Sequence, residues 1–450
     1  LSIQSDVAGL AALGAKAPNA TVFVVDSTEN MSANSALLTT LGATVTAAAA
    51  VTVAEAEAIL ALGLTSTYDL ADSAANLANA PLSVFSGATT IAANTAATAA
   101  EATAINASID DSSFAYVAGD VTINVTDTSS NVANYYSEQA AGTDFDTVTA
   151  TDAATSAEAD AMDGIKADAV FAIQDTWSNI YNDRTDAQMD TATSITATTA
   201  VTDVVEVVAF NNASTVGLAS GYTVSDDFAD LTANANQEAV TDAAGDVTVT
   251  DDLTVSKALT ANAWSNTGAT AYNVDDAIAL VLASSSAVVN NTVQVSTTSP
   301  TITASQANNL VAKFGASKVS DANLVISDTV ANLLTLSDAA AAEANSITVS
   351  SGTATVEQMV ALEAKAGGAL DNTTVDISDT AANLVAAVGD AATFKDLDAQ
   401  NSVTVSDTAT IDQAVTINAA LTKDMTAGSY TVNDTTANVL AAVSGGVGLG

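Results

Sequence analysis

The chain contains no cysteine and no histidine in its 450 residues. Without cysteine it can form neither disulfides nor thiolate metal sites, which fits a large exported chain that must avoid cross-linking. Without histidine it lacks the commonest general base and the commonest transition-metal ligand. A serine or threonine nucleophile would need one of nine lysines and arginines, and none of these lies in an S-x-x-K or G-x-S-x-G context. We therefore predict that the protein is not an enzyme.

Basic residues are scarce as well. The chain has 52 Asp and Glu against 9 Lys and Arg, a formal net charge of −43. A field of this sign repels nucleic-acid phosphates and anionic lipid head groups, so we expect no nucleic-acid partner and regard divalent cations as the natural counter-ions. The apolar runs, such as "TAAAAVTV" (46–53), are too short for a direct membrane span.

Aromatic residues make up only 4% of the chain, although hydrophobic residues make up 48%. Most of the apolar content is Ala and Val, which suits thin, repetitive layers better than one large core. Only three prolines interrupt the chain (Pro18, Pro81, Pro300), and no Gly/Ser linker precedes "SGGVGLG" at 444–450. We predict one continuous repeat region over 1–443, with 444–450 a glycine-rich linker or the start of a further region.

One motif, x-V-x-V/I-x-D-T-x-x-N-L/V/I, recurs about nine times with a period of about 51 residues, in the range of solenoid repeats. Here it is called the first motif. The fifth and sixth repeats alone lose its asparagine, which is replaced by Asp230 and Leu280. Its aspartates are Asp26, Asp72, Asp127, Asp175, Asp226, Asp276, Asp328, Asp379 and Asp434, and the paired asparagines include Asn76, Asn131, Asn179, Asn332, Asn383 and Asn438.

A second motif, T-x-x-E/Q followed by small and apolar residues, lies between copies of the first. A Thr followed three residues later by Glu or Gln predicts a capping box at a helix start. Alternating runs such as "ITVS" (347–350) precede several copies and predict strands with one buried side. Each repeat therefore reads strand, helix, strand, helix. The capping threonines are Thr52, Thr98, Thr155, Thr303, Thr355 and Thr410.

The first motif suggests a strand-to-helix corner. We predict that Asp379 is the N-cap of a helix beginning near Thr380, and that Ala381, Leu384 and Val388 form its apolar stripe. For Asn383 two interpretations stay open. Its amide could bond to the neighbouring repeat in a ladder, or it could be a solvated helix residue.

Half of the period is about 25 residues, close to one strand plus one helix of the leucine-rich type. This predicts the α/β class and, within it, a right-handed repeat solenoid with a parallel sheet and short helices. Neither end of the sequence resembles a polar cap. We therefore expect either further repeats in a longer precursor or stacking on another molecule.

Dense carboxylates offer the oxygen ligands that calcium prefers, and calcium is the only cofactor we expect. The acidic turns "SDDFAD" (225–230), "TVTDD" (248–252) and "NVDDA" (273–277) could bind it between repeats or between molecules. The alternative is that these acids are helix caps and solvated faces. The candidate ligands are Asp226, Asp227, Asp251, Asp252, Asp275 and Asp276.

The repeated "ISDTAANL", "ISDTVANL" and "VNDTTANV", with the interleaved "ATVEQMVAL" and "ATIDQAVTI", resemble repeats of very large bacterial exported proteins of the cell-surface, adhesin and S-layer type. The resemblance covers essentially the whole chain. It implies an extracellular, structural role at the bacterial surface, often with calcium and frequently with type I secretion. The start of the sequence, "LSIQSDVAGL", shows no signal peptide, so we expect a processed fragment or an export signal elsewhere.

These patterns predict a secreted structural protein that self-assembles into an S-layer or an extracellular filament, with cation-assisted contacts between copies of itself. Two alternatives stay open. One is the stalk of a large repetitive adhesin. The other is a carbohydrate-active solenoid enzyme that uses a pair of carboxylates, for which only Trp177 and Trp264 offer indole rings to stack on a sugar.

Overall fold

The computed structural model describes residues 2–13, 20–111, 121–137, 146–319, 324–371, 373, 375–390, 400–421 and 431–445. The chain divides into two compact units, Leu1–Tyr222 and Thr223–Gly450. Most of the glycine-rich segment singled out at 444–450 lies outside the described residues, from 446 onward. In the described ranges no helix has the length and apolar character needed to cross a membrane.

The first unit alternates short strands with one or two short helices. Its strands are β1 (Ser2–Ser5), β2 (Thr21–Asp26), β3 (Thr44–Ala47), β4 (Ser66–Asp72), β5 (Ala88–Ala93), β6 (Val121–Thr122), β7 (Asn124–Asp127), β8 (Thr147–Ala150), β9 (Ile173–Asp175) and β10 (Ile195–Ala197). Its helices are α1 (Val7–Leu13), α2 (Thr28–Ala33), α3 (Ser35–Leu41), α4 (Val53–Leu60), α5 (Ala74–Ala78), α6 (Leu82–Ser86), α7 (Ala99–Asp111), α8 (Ser129–Ser137), α9 (Ser156–Ile165), α10 (Trp177–Asn182), α11 (Gln188–Thr191) and α12 (Val204–Ala213).

The second unit repeats this alternation. Its strands are β11 (Val224–Asp226), β12 (Val247–Leu253), β13 (Thr270–Asp276), β14 (Thr292–Thr297), β15 (Val325–Thr329), β16 (Ser346–Ser351), β17 (Thr353–Ala354), β18 (Asp376–Asp379), β19 (Ser402–Val405), β20 (Thr408–Ala409) and β21 (Thr431–Val432). Its α-helices are α13 (Phe228–Leu231), α14 (Ala235–Ala243), α15 (Val255–Ala261), α16 (Ile278–Ala283), α17 (Ser286–Asn291), α18 (Ala304–Phe314), α19 (Val330–Leu333), α20 (Asp338–Ala342), α21 (Val356–Ala366), α22 (Ala381–Gly389), α23 (Ile411–Ala420) and α24 (Thr436–Ser444), with 3-10 turns at Ala316–Lys318 and Gly367–Ala369.

All strand pairings in the described residues are parallel, and each strand pairs with its neighbour in sequence. The first unit has a six-stranded sheet, β1 to β6, and the pairs β7–β8 and β9–β10; the second has β11 to β14, β15–β16, β17 to β19, and β20–β21. Parallel neighbours need a crossover between them, and the short helices supply it. The predicted α/β class with parallel strands is confirmed, as a set of small sheets.

Side chains on the strands alternate as the sequence predicts. Ile347 and Val349 of β16 are buried, whereas Thr348 is partly exposed and Ser350 is exposed. Apolar residues at every second position therefore face the helices, which leaves small polar residues on the other face of the strand.

The capping boxes are confirmed at the starts of α4, α7, α9, α18, α21 and α23. In α4 the Glu55 backbone N–H donates to Thr52 Oγ1 at 3.3 Å, and the Thr52 N–H donates to Glu55 Oε2 at 2.8 Å. Each box satisfies two N–H groups that the first helical turn leaves without partners.

The apolar stripe of α22 differs from the predicted one. Ala381 and Leu384 are buried as expected, but the third buried residue is Ala387, and Val388 is partly exposed. A step of three residues falls about 60° short of a full helical turn, so this stripe winds around the helix instead of following one line.

Candidate functional site

The recurring corner between strand and helix is best described in the eighth repeat. Asp379 is the last residue of β18, where it pairs with Val405, and Thr380 follows it in extended backbone geometry. The Thr380 hydroxyl accepts from the Asn383 backbone N–H at 3.3 Å. The predicted N-cap was therefore wrong by one residue: Thr380 caps α22, because Asp379 is still held in the strand.

The Asp379 carboxylate binds donors around this corner. Its Oδ1 accepts from the Thr380 N–H at 2.7 Å and from the Asn383 side-chain amide at 2.8 Å. Asn383 is exposed, and its amide bonds to the aspartate of its own repeat. Six other asparagines bond in the same way at 2.7–2.9 Å: Asn30, Asn76, Asn131, Asn179, Asn332 and Asn438.

The second oxygen of the same carboxylate reaches a different segment. Asp379 Oδ2 accepts from the backbone N–H of Val356, the first residue of α21, at 2.9 Å and 23 positions earlier in the chain. We call this arrangement the aspartate junction. The same bond, at 2.9–3.1 Å, is made by Asp26 to Val7, Asp72 to Val53, Asp127 to Ala99, Asp175 to Ser156, Asp276 to Val255, Asp328 to Ala304 and Asp434 to Ile411.

These donors lower the pKa of several junction carboxyls. In Asp26 the Asn30 amide is the largest influence, and together with the Val7 N–H it lowers the pKa. In Asp72 burial acts to raise the pKa, but the bonds from Asn76, Val53 and Ser73 outweigh it and the pKa falls. The pKa is also lowered, by the bonds from their own donors, in Asp127, Asp175, Asp328 and Asp434. The charged form is therefore the one that these repeats stabilise.

A second set of bonds joins six first-motif helices to the segment that follows each of them. The N–H of Ala381, the first residue of α22, donates to Asp407 Oδ1 at 2.8 Å. This contact was not predicted from the sequence. The sequence pattern that could have predicted it is a residue with a hydroxyl or a carboxylate, three or four positions before the N-cap of the next helix. The acceptors are Thr95, Asp152, Thr199, Asp251, Ser299 and Asp407, at 2.6–3.1 Å.

The predicted metal ligands lie in several different environments. Asp226 and Asp227 come together with Asp230, and one carboxylate oxygen from each lies within 4.8 Å of the others. Asp227 also caps α13, because it accepts from the Asp230 N–H at 2.9 Å. Asp251 accepts from Phe228, and Asp276 is a junction aspartate. Asp252 and Asp275 lie on β12 and β13.

Two lysines contact carbonyls at helix C-termini, which was not predicted from the sequence. Lys313 Nζ donates to the carbonyls of Leu282 and Ser284, at the C-terminal end of α16, at 2.7 and 2.6 Å. Lys365 donates to the carbonyl of Leu336, which lies between α19 and α20, and Lys318 reaches the carbonyl of Val289 in the last turn of α17. A cation here meets the negative end of a helix dipole. Part of the small basic content is therefore used to hold one segment against the next.

The chemistry of the junction is multiple hydrogen bonding by a charged group. One carboxylate accepts two bonds from its own corner and one from an earlier helix, and such charge-assisted bonds are stronger than neutral ones.

No family model matches the sequence, and no curated protein matches it either.

Proposed function

We propose that the protein is a structural subunit of the bacterial cell surface, which self-assembles into an S-layer or an extracellular filament. In this proposal the repeats over 1–443 form a right-handed α/β solenoid, and the repetition itself is the functional feature. The chain has a structural role: it keeps a fixed shape and contacts other copies of itself. It acts outside the cell and does not bind nucleic acid.

The observation that carries the proposal is the recurrence of the aspartate junction. Asp379 and seven other first-motif aspartates bond to the start of an earlier helix through one oxygen. When each repeat is held mainly by its neighbours, stability grows with the number of interfaces, and the array behaves as a stiff spacer. A contact that recurs in this way stabilises the structure of each repeat that has it. A catalytic site, in contrast, would need to occur only once in the chain.

The charge balance supports cation-assisted assembly. Two molecules that each carry −43 repel one another, and several of the nine basic residues are already bonded to helix ends or acids within the chain. Divalent cations, with calcium the best candidate, would offset this repulsion and could be shared by carboxylates of two molecules.

Electron microscopy of the purified chain tests the proposal. We expect ordered arrays or filaments with millimolar CaCl2 and their dissolution on adding EDTA. NaCl at matched ionic strength is the control, because it screens charge but cannot bridge carboxylates. Molecules that stay monomeric in both salts would overturn the proposal and favour an adhesin stalk. Polysaccharide cleavage that depends on a specific carboxylate pair would instead establish the enzyme alternative.

A further inference from the structure

A groove runs between α21 and α22 in the eighth repeat, with a volume of about 350 Å³. A volume of this size lies at the lower end of the range for small-molecule sites. Val356 and Val360 of α21 line one side, and Ala386 and Ala387 of α22 line the other. Val360 is 41% exposed, so solvent reaches the groove. Its walls therefore offer an accessible hydrocarbon surface.

Carboxylates lie at both ends of α22 beside these walls. Asp379 comes just before the helix cap and Asp390 just after the last helical residue, and both line the groove. The helix has nine residues, and at about 1.5 Å per residue its two ends are about 13 Å apart. Glu357, next to Val356 in the sequence, adds an exposed carboxylate to the lining. None of the described residues that line the groove is basic, so its lining has a net negative charge.

The chain itself shows which kind of cation suits the end of a first-motif helix. Lys313 is the tenth residue of α18, and its ammonium group donates to the carbonyls of Leu282 and Ser284 at the end of α16. The helix that packs on α22 in the same way is α23, and its tenth residue is Ala420. Helix α23 therefore supplies no ammonium group to the end of α22. An alkylammonium ligand there would meet the negative end of the α22 dipole beside Asp390.

The walls of the groove favour an organic cation over a metal ion. A hard divalent ion takes oxygen ligands and gains nothing from contact with valine and alanine. A methylene chain, in contrast, gains free energy when it leaves water for such a surface. Within the described residues, the acids close enough to share one metal ion are Asp226, Asp227 and Asp230, which belong to the fifth repeat.

We propose that the groove between α21 and α22 binds a linear aliphatic polyamine. Its methylene chain lies against the valine and alanine walls, and its terminal ammonium groups lie at the two acidic ends. Glu357 and Asp379 form one end, and Asp390 with the last turn of α22 forms the other. Asp379 keeps its junction bond to the Val356 N–H and adds negative charge. This site goes beyond the proposed self-assembly and does not depend on it.

Calorimetric titration of the whole chain with spermidine tests the site, in about 0.15 M NaCl because this salt screens the scattered surface acids. We expect one site that is tighter than the weak binding to those acids. Hexaamminecobalt(III) is the matched ligand, because it carries the same triple positive charge without a hydrocarbon chain. We expect it to show only the weak binding.

Ala386→Leu fills the groove without changing the charge of the chain. It should weaken spermidine binding by about tenfold or more, because methylenes forced into an occupied space are unfavourable. Ala382→Leu is the matched control, since Ala382 is exposed on the same helix but does not line the groove. We expect Ala382→Leu to bind spermidine with the affinity of wild type.

A second pair of variants separates the groove from the overall charge. Asp390→Asn and Asp110→Asn each remove one negative charge, but only Asp390 lines the groove. We expect Asp390→Asn to bind spermidine several-fold more weakly than wild type and Asp110→Asn to be unchanged. General attraction to the net charge falls equally in both variants, so a difference between them reports on the groove.

Equal affinity for spermidine in wild type and Ala386→Leu would overturn the site, as would the absence of a tight site in wild type. Hexaamminecobalt(III) that binds as tightly as spermidine would also overturn it, because charge alone would then explain the binding. If Ala386→Leu does not fold, Asp390→Asn must bind more weakly than Asp110→Asn, and equal affinities in that pair would overturn the site.

Discussion

The carboxylate of Asp379 accepts a hydrogen bond from the backbone N–H of Val356, 23 residues earlier in the chain. The N–H of a first helical residue has no partner within its own helix. Asp379 therefore completes the start of one helix while it fixes the corner before the next. This relationship recurs with other residues along both units.

Replacing Asp379 by asparagine should destabilise the chain. The side chain is buried, and the substitution removes the charge that strengthens three hydrogen bonds, so we expect a loss of about 1.5–3 kcal/mol in the free energy of unfolding. Urea denaturation measures it. Asp110→Asn makes the same chemical change at an exposed helix position, and we expect it to stay within about 0.5 kcal/mol of wild type. Equal losses in the free energy of unfolding of the two variants would show that the junction has no special role in stability.

Restoring the asparagine of the sixth repeat should stabilise it. Leu280 occupies the asparagine position and is 52% exposed, so Leu280→Asn removes no buried side chain. Its amide could donate to Asp276, as Asn383 donates to Asp379, for a gain of about 0.5–1.5 kcal/mol. Thermal unfolding measures the gain, with Leu280→Ala as the control for the removal of leucine. A gain that is the same in both variants would show that no new bond forms.

Burial on the helix stripe should decide the cost of truncating a leucine. Leu384 is fully buried on α22, and Leu384→Ala should cost about 2–5 kcal/mol. Leu440 on α24 is 68% exposed, and Leu440→Ala should change stability by less than about 0.5 kcal/mol. Both are measured by urea denaturation of the purified chain. A large loss in Leu440→Ala would mean that this leucine is covered in solution.

Acid should affect the chain in two opposite ways. Lowering the pH from 7 towards 5 protonates part of the acidic surface and reduces the self-repulsion of a chain with net charge −43, so the melting temperature should rise. Several junction aspartates act in the other direction. In Asp26, Asp72, Asp127 and Asp328 hydrogen bonds hold the folded pKa below its ordinary value of 3.8, so their contribution is fully present above that pH and is lost as the pH falls through the lowered folded values.

Melting temperatures measured from neutral pH to about pH 2.5 should therefore pass through a maximum and fall below about pH 4. In 1 M NaCl the rise towards the maximum should shrink, because salt screens exposed charges, while the fall at low pH should remain. A melting temperature that keeps rising as the pH is lowered through 3 would contradict the stabilising role of the junction aspartates.

Much of the local structure could be predicted because the same short sequence patterns recur along the chain. The Thr52 and Glu55 pair identifies a helix start by itself, and the alternation of Ile347 with Thr348 identifies a strand face. Both features depend on residues within one short segment, where the spacing of side chains determines the geometry.

The junction could not be predicted in the same way. The sequence shows that Asp379 recurs, but its main partner is a backbone N–H, and every non-proline residue carries such a group. Which N–H it meets depends on the parallel register that brings Val356 beside the end of β18. The partner of Asn383 could not be predicted for the related reason that an amide can bond within its repeat or across to another.

Amide hydrogen exchange at Val356 tests the junction most directly, because it reports on the N–H that bonds to Asp379. In wild type we expect this N–H to be protected, although it is the first of its helix and would otherwise exchange rapidly. In Asp379→Asn we expect exchange at Val356 to become faster by about tenfold or more, which corresponds to about 1.4 kcal/mol, with little change in α21 beyond its first turn. The same exchange rate at Val356 in wild type and in Asp379→Asn would contradict the account.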